Sequence, residues 1–531
     1  MRMTLSLFAA WSWLVVMPAP SGAADPLAER VEAVVRAAPY TDGHWGLLVV
    51  DAKTGVVVYE KNADQLFCPA SVTKLFTTSA ALADLGADYR FKTSVVRRGE
   101  VREGGTLRGD LILVAGGDLA LGGRTAKDGT LLFEDNDHTY ANGSNKSTLV
   151  AADPRAGLDH LAKAVKEAGI TSVSGDVLVD DRLFDSAPST GSGPSRVSPI
   201  MVNDNLIDVV VTPSPKVGEL ASFKLVPTTE YAVCEIRVET IEKGLAAIEI
   251  VPLGPRRFAV KGRIPIGHRP VVKVYEVEEP AAFARTLLIE ALRAQGVKVA
   301  APAIADNPSG ALPPREEVAK LAQVAEYTSP PFREYVKVIL KVSHNLHAST
   351  LPLLLAARRG EKTLDAGLRR EGQILKGLGV DVDKISFGGG AGGARGDLVT
   401  PRQTVALLRA MAKRDDFAAF EAALPVLGRD GTLAQAVSAD SPAKGQARAK
   451  TGTYWLVNGL SGEAVLTSKA LAGYLDTASG RPLVFTFFVN QVPIKGAEVN
   501  DATAAAGRTL GRLCEVFHDD AKDTSAEKKA K

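Results

Sequence analysis

The 531 residues carry 63 Lys and Arg against 61 Asp and Glu, a formal net charge of +2. A balance that close gives no long-range field to draw in nucleic acid or a charged membrane surface. Hydrophobic residues at 46% and charged residues at 23% are ordinary globular composition and exclude wholesale disorder.

The chain begins with Arg2, an apolar stretch from Leu5 to Met17 and small residues at Ser21-Gly22-Ala23. That order reads as an export signal over 1–24, because the apolar run is short for a span of ~20 residues. No later segment is apolar enough to cross a bilayer, so an exported, periplasmic protein, soluble after signal removal, is expected. From His44 to Glu60 apolar residues alternate around Asp51-Ala52-Lys53-Thr54-Gly55, the pattern of a hairpin with a Gly-containing turn. Pro69 then precedes an apolar-periodic helix from Ser71 to Leu85 that stops at Gly86.

From Phe91 to Pro314 the texture is β-rich: Leu107–Val114, Val173–Val179 and Asp208–Thr212 alternate between turn clusters. Within this block 122–154 is polar and turn-rich, and its Asn142 and Asn145 sequons read as surface loop. Helical periodicity returns over 331–359 and 365–378, glycines dominate 388–393, and a helix starts at Thr400-Pro401. Strands are expected at 446–453 and 483–489, a closing helix at 502–517, and a disordered charged tail over 520–531. The basic tail leaves open a loose membrane association. The expected organisation is one domain in two parts, 25–93 and 318–519, interrupted by a β-rich insertion over 94–317. Three cysteines, Cys68, Cys234 and Cys514, permit one disulfide without specifying it. Cys68 reads as a buried thiol rather than a nucleophile.

Ser-x-x-Lys places a hydroxyl and an amine on one helix face. Serine needs a base to become a nucleophile, and lysine serves if desolvation lowers its pKa. The pattern occurs at Ser71/Lys74, Ser441/Lys444 and Ser525/Lys528. Only the first has a long apolar helix behind it, whose positive end favours developing negative charge at Ser71. Ser343-His344-Asn345 is the one Ser-x-Asn; its hydroxyl and carboxamide can relay a proton and orient an amide substrate. Lys-Thr-Gly occurs twice. Lys53-Thr54-Gly55 falls in the hairpin turn, whereas Lys450-Thr451-Gly452 lies along a strand, where cation and hydroxyl can grip a carboxylate. The bare Gly452 would let a substrate backbone approach.

In the order Ser71/Lys74, Ser343/Asn345, Lys450/Thr451/Gly452, the three motifs match the signature set of serine β-lactamases and penicillin-binding proteins. The chain resembles the class C low-molecular-mass penicillin-binding proteins, the D-alanyl-D-alanine carboxypeptidase/endopeptidase family, from about Ala33 to Phe517. Further matches are Phe67-Cys68-Pro69-Ala70, Gly109-Asp110-Leu111, Gly116-Gly117-Asp118, Gly175-Asp176-Val177 and Gly428-Arg429-Asp430-Gly431-Thr432-Leu433. The resemblance implies an α/β (α+β) β-lactamase/transpeptidase-like domain with a large β-rich insertion. It further implies acylation of Ser71 with Lys74 as base, Ser343 and Asn345 as relay, and Lys450 and Thr451 on the terminal carboxylate. Ser71 and Thr453 would supply the oxyanion N–H groups. Implied partners are peptidoglycan peptides ending in D-Ala-D-Ala and β-lactams as covalent inhibitors, with no metal, organic cofactor or nucleic acid. The alternatives are a β-lactam-hydrolysing enzyme and a catalytically impaired wall-binding protein of the same fold. A class A β-lactamase would need a Glu-x-x-Leu-Asn segment, which the chain lacks. The sequence departs from the family at His344, at Ser349 and at Gly389-Gly390-Ala391-Gly392-Gly393-Ala394-Arg395, where acidic groups and hydroxyls are usual. His344/His347 has metal-compatible spacing without a supporting cluster, so a surface or supporting role is expected.

Overall fold

Apolar strands from both ends of the chain meet in one antiparallel sheet. Its order is Ala447–Val457, Ala464–Asp476, Pro482–Ile494, His44–Asp51, Val57–Lys61. Successive side chains leave a strand on opposite faces, and here both faces are covered. Trp45, Leu47 and Val49 pack beneath the helices Pro26–Val35 and Val499–His518, while Leu48 and Val50 pack on the opposite helical layer. The expected hairpin is present, with the Asp51 carboxylate accepting the N–H groups of Lys53 and Thr54 and Gly55 at φ +78°. The computed structural model describes residues 26–496 and 499–520. The expected signal segment, the tail beyond Asp520 and the Ser525/Lys528 match lie outside the described residues. Among the described residues no helix is long and apolar enough to cross a membrane.

The helix Thr73–Leu85 runs through the middle of the second layer, buried on every side from Thr73 to Leu82. It touches Phe332–Val342, Asn345–Ala357 and Leu364–Gly377, which explains its lack of a polar face. Gly86 ends it at φ +87°, a conformation that suits glycine. The helical stretch expected over 331–359 is two helices, because Ser343 takes the left-handed conformation at φ +65°, ψ +40°. A helix break between Val342 and Asn345 is invisible to apolar periodicity, which continues across it.

Between the two halves of the main sheet, Lys92–Val101, Thr106–Val114, Ser172–Val173, Val177–Asp180, Lys298–Val299 and Ala322–Thr328 form a second sheet. By pairing, this block runs on to Thr328, since Ala322–Thr328 lies antiparallel to Lys92–Val101. Two helices that the β-rich reading passed over, Ala156–Glu167 and Pro280–Ala294, pack against it. Their signals are present in the sequence: Pro280 opens one, and Gly169 and Gly296 follow the two ends. Two three-stranded sheets and the short antiparallel pairing of Ala187–Pro188 with Arg196–Val197 complete the block. All three cysteines are free; Cys68 and Cys234 are half-buried and Cys514 is buried.

Candidate active site

Ser71 sits on a single turn of 3-10 helix, Ala70–Val72, leading into Thr73–Leu85. The turn is held from the sheet. Asn490 receives the Cys68 N–H at 2.8 Å and returns its own amide to the Cys68 carbonyl, which also accepts the Ser468 hydroxyl at 2.7 Å. Ala70 is held at φ +45°, a strained value for a residue with a Cβ that persists only where surroundings enforce it. These contacts set Ser71 at the rim of a cleft of about 1260 Å³.

Lys74 is 0% exposed. Its Nζ lies 2.8 Å from Ser71 Oγ, 2.8 Å from Asn345 Oδ1 and 2.7 Å from the Ala391 carbonyl. Burial pushes its pKa down to about 7, opposed in part by the Asp397 carboxylate. Asp397 is itself pushed up to about 6 by burial, while the N–H groups of Gly388 and Ala394 hold it in place. An amine near neutrality beside a serine hydroxyl is equipped to take its proton.

The break at Ser343 separates the two relay residues. Ser343 Oγ accepts from Lys450 Nζ at 2.9 Å, whereas Asn345 points its oxygen at Lys74 and its amide at Ser192 of the inserted block. The site therefore holds two lysine-centred pairs rather than one helical Ser-x-Asn face. Lys450 is 0% exposed, bonded also to the Thr451 carbonyl, and driven well below the usual lysine range by burial and by Lys74. Thr451 donates to Thr432 at 2.7 Å. A Cβ on Gly452 would lie 2.4 Å from the Pro69 carbonyl and 3.2 Å from Ser71 N. The close approach that requires glycine here is thus made by the protein's own nucleophile turn. Thr453 accepts from Lys469 at 2.9 Å.

The Gly-rich segment 388–393 has a packing reason. A Cβ on Gly390 would meet the Ala348 carbonyl at 2.1 Å, and one on Gly392, at φ +84°, would meet the Ala70 carbonyl at 1.9 Å. The loop passes close against the nucleophile turn and delivers the Ala391 carbonyl to Lys74. Gly392→Ala is expected to cost about 1–3 kcal/mol from overpacking, read as a lower denaturation midpoint. Arg395 is exposed on this loop.

Beneath Ser343 lies a buried polar network to which the polar, turn-rich stretch 122–154 contributes Arg124, Asp137 and His138. Asp204 accepts from Arg124 at 2.7 Å, His138 at 2.8 Å and His347 at 2.7 Å, with His344 at 3.3 Å. Arg124 also pairs with Asp137, and His138 with Asp208. His344 and His347 are buried, not on the surface; their rings stack, and His344 caps its helix by accepting the His347 N–H. Two groups here, Asp204/His344/His347 and Asp137/His138/Asp204, have ligand atoms close enough together for a metal. The Arg124 guanidinium already occupies Asp204, so the arrangement reads as an ion-paired network rather than a cation cradle. No spacing rule joins Asp204 to His344, because their contact is purely tertiary.

The other Ser-x-x-Lys match, Ser441/Lys444, is remote in role: Ser441 Oγ bonds Glu515 and Lys444 reaches the Ala439 carbonyl. The sequence profile described as the D-Ala-D-Ala carboxypeptidase 3 (S13) family matches residues 27–510. The chain is 32% identical over 467 residues to a D-alanyl-D-alanine carboxypeptidase of Actinomadura sp. (strain R39), covering 82% of this chain and 78% of that protein. It is 22% identical over 461 residues to the D-alanyl-D-alanine carboxypeptidase DacB of Haemophilus influenzae, covering 84% and 85%. In structure it is similar to penicillin binding protein 4 from Haemophilus influenzae, with a TM-score of 0.66 at 20% identity over 91% of this chain and 98% of that one.

Proposed function

This chain belongs to the D-Ala-D-Ala carboxypeptidase S13 family of serine peptidases, and from that membership we propose the following assignment of its residues and substrate. Ser71 Oγ attacks the carbonyl of the penultimate D-alanine of a peptidoglycan stem peptide, and Lys74 takes its proton. N–H groups of Ser71 and Thr453 receive the developing oxyanion. The Lys450–Ser343 pair gives a proton to the departing amine and takes back in its place the one Lys74 removed from Ser71, free D-alanine leaves, and water hydrolyses the Ser71 ester with the neutral Lys74 again as base. A β-lactam opens on Ser71 by the same attack.

The observation that carries this reading is Lys74: fully buried, 2.8 Å from Ser71 Oγ, with its pKa near 7. In the same reading 25–93 and 318–519 form the catalytic domain, the intervening block is accessory, and the protein works outside the inner membrane after loss of 1–24. Intact-mass analysis after benzylpenicillin treatment tests it. One long-lived penicilloyl group on the peptide containing Ser71, with release of D-alanine from a D-Ala-D-Ala peptide, is expected. An adduct on another residue, or rapid turnover of the β-lactam without D-alanine release, would refute it.

A further inference from the structure

Lys450 is a poor candidate for the cation that meets a substrate carboxylate. It is 0% exposed, its ammonium is spent on Ser343 Oγ and the Thr451 carbonyl, and it does not reach the cleft wall. Lys469 does reach it, beside Thr451 and Thr453. Its Nζ bonds the Thr453 hydroxyl at 2.9 Å, and among the described residues no carboxylate pairs with it.

The sheet explains the placement. Thr453 lies directly opposite Lys469 in the antiparallel pairing, so both side chains leave on one face, and Thr451, two residues along, leaves on the same face. Gly452, between the two threonines, turns the other way, toward Ser71 N. A chain end with its scissile carbonyl over Ser71 therefore carries its terminal carboxylate, one residue further on, toward two hydroxyls and an ammonium.

We propose that Lys469, with the hydroxyls of Thr451 and Thr453, forms the subsite for the terminal carboxylate of the substrate, leaving Lys450 to serve Ser343; this rests on the acyl-transfer reading above. A buried ammonium without a counter-charge is unfavourable. Burial accordingly pushes Lys469 down to about 8, and an arriving carboxylate stabilises the ammonium by a charge-assisted hydrogen bond. Amide-capped or esterified chain ends lose this attraction, so the subsite selects free C-termini.

The test uses two acyl-D-alanyl thioesters, one whose leaving group ends in a carboxylate and one with that carboxylate capped as a methyl ester. For Lys469→Gln, kcat/KM on the acid is expected to fall about 10- to 100-fold, the range of one charge-assisted hydrogen bond. The methyl ester is expected to lose far less, so that the preference for the acid collapses. Lys469→Arg is expected to keep most of that preference. Full penicilloylation of each variant at saturating β-lactam shows that it is folded. Equal losses on the two thioesters, or no loss on the acid, would overturn the proposal. Failure of the acyl-transfer reading itself would show separately, as a wild-type protein without a Ser71 adduct.

Discussion

Replacing Lys74 by alanine is expected to slow penicilloylation of Ser71 by about 10²- to 10⁴-fold, the contribution of a positioned general base. Stopped-flow acylation measures it. The geometry gives the base its direction. Asn345 Oδ1 and the Ala391 carbonyl offer Lys74 only acceptors. In the neutral amine these two take both N–H groups, so the lone pair is left facing the Ser71 hydroxyl at 2.8 Å. With the pKa held down to about 7, the wild-type acylation rate rises with pH through that value as the amine loses its proton. The Asp397 carboxylate favours the charged amine, so Asp397→Asn should move this limb to lower pH. A limb that stays in place, or a Lys74→Ala protein acylated at the wild-type rate, would show that another group takes the proton.

The order of motifs made the chemistry legible because Ser71/Lys74 lie on one continuous helical run, a 3-10 turn leading into Thr73–Leu85, and Lys450/Thr451/Gly452 on one strand, where spacing fixes which side chains meet. Ser343/Asn345 was legible as a pair but not as a geometry. The left-handed residue at Ser343 sends its hydroxyl to Lys450 and the Asn345 oxygen to Lys74. Positive φ at a serine leaves no compositional mark. Gly452 and Gly392 were visible as glycines, yet the need for them comes from the backbone of Pro69 and Ala70, distant in sequence. The departures at 389–395 replace the acidic groups and hydroxyls usual in the family. In the folded chain they form a close-packed loop that supplies Lys74 with a carbonyl. Lys469 was not singled out because nothing in its own stretch distinguishes a strand lysine facing the cleft from one facing solvent.

Asp204→Ala is the second substitution expected to have a large effect, through position rather than chemistry. Asn203, Asp204 and Asn205 stand at φ +51°, +54° and +55°, a left-handed run costing roughly 1–3 kcal/mol per residue in non-glycine backbone. What enforces it is the Asp204 carboxylate, carried beneath the helix that follows Ser343. There it meets Arg124, His138 and His347, and its pKa is held well below the carboxylate range, with the Arg124 guanidinium the largest attraction against burial. Alanine leaves His347 without its carboxylate acceptor and strips one of the carboxylates from each of the buried Arg124 and His138, which keep Asp137 and Asp208, a loss of about 3 kcal/mol in stability. It also frees His344, next to Ser343, so kcat/KM should fall while the slow hydrolysis of an acyl-enzyme already formed at Ser71 changes less. The pH dependence identifies the group. A depressed carboxylate stabilises the fold above its unfolded pKa, near 4, and that contribution is lost as pH falls through the folded value. Burial lowers His347 to about 4, so stability also declines as pH falls from about 6.5, its ordinary value, toward 4. His138, raised well above its ordinary value between Asp208 and Asp204, acts in the opposite sense. Its contribution is complete below about 6.5 and is lost as pH rises through the folded value. Asp204→Asn, which keeps the shape, should weaken the alkaline loss by removing one of the three carboxylates, with Asp208 and Asp137, that hold His138 charged. Thermal denaturation across pH 4–9, alongside penicilloylation rates, reads both effects. Unchanged stability and unchanged acylation in Asp204→Ala would show that the network does not hold Ser343.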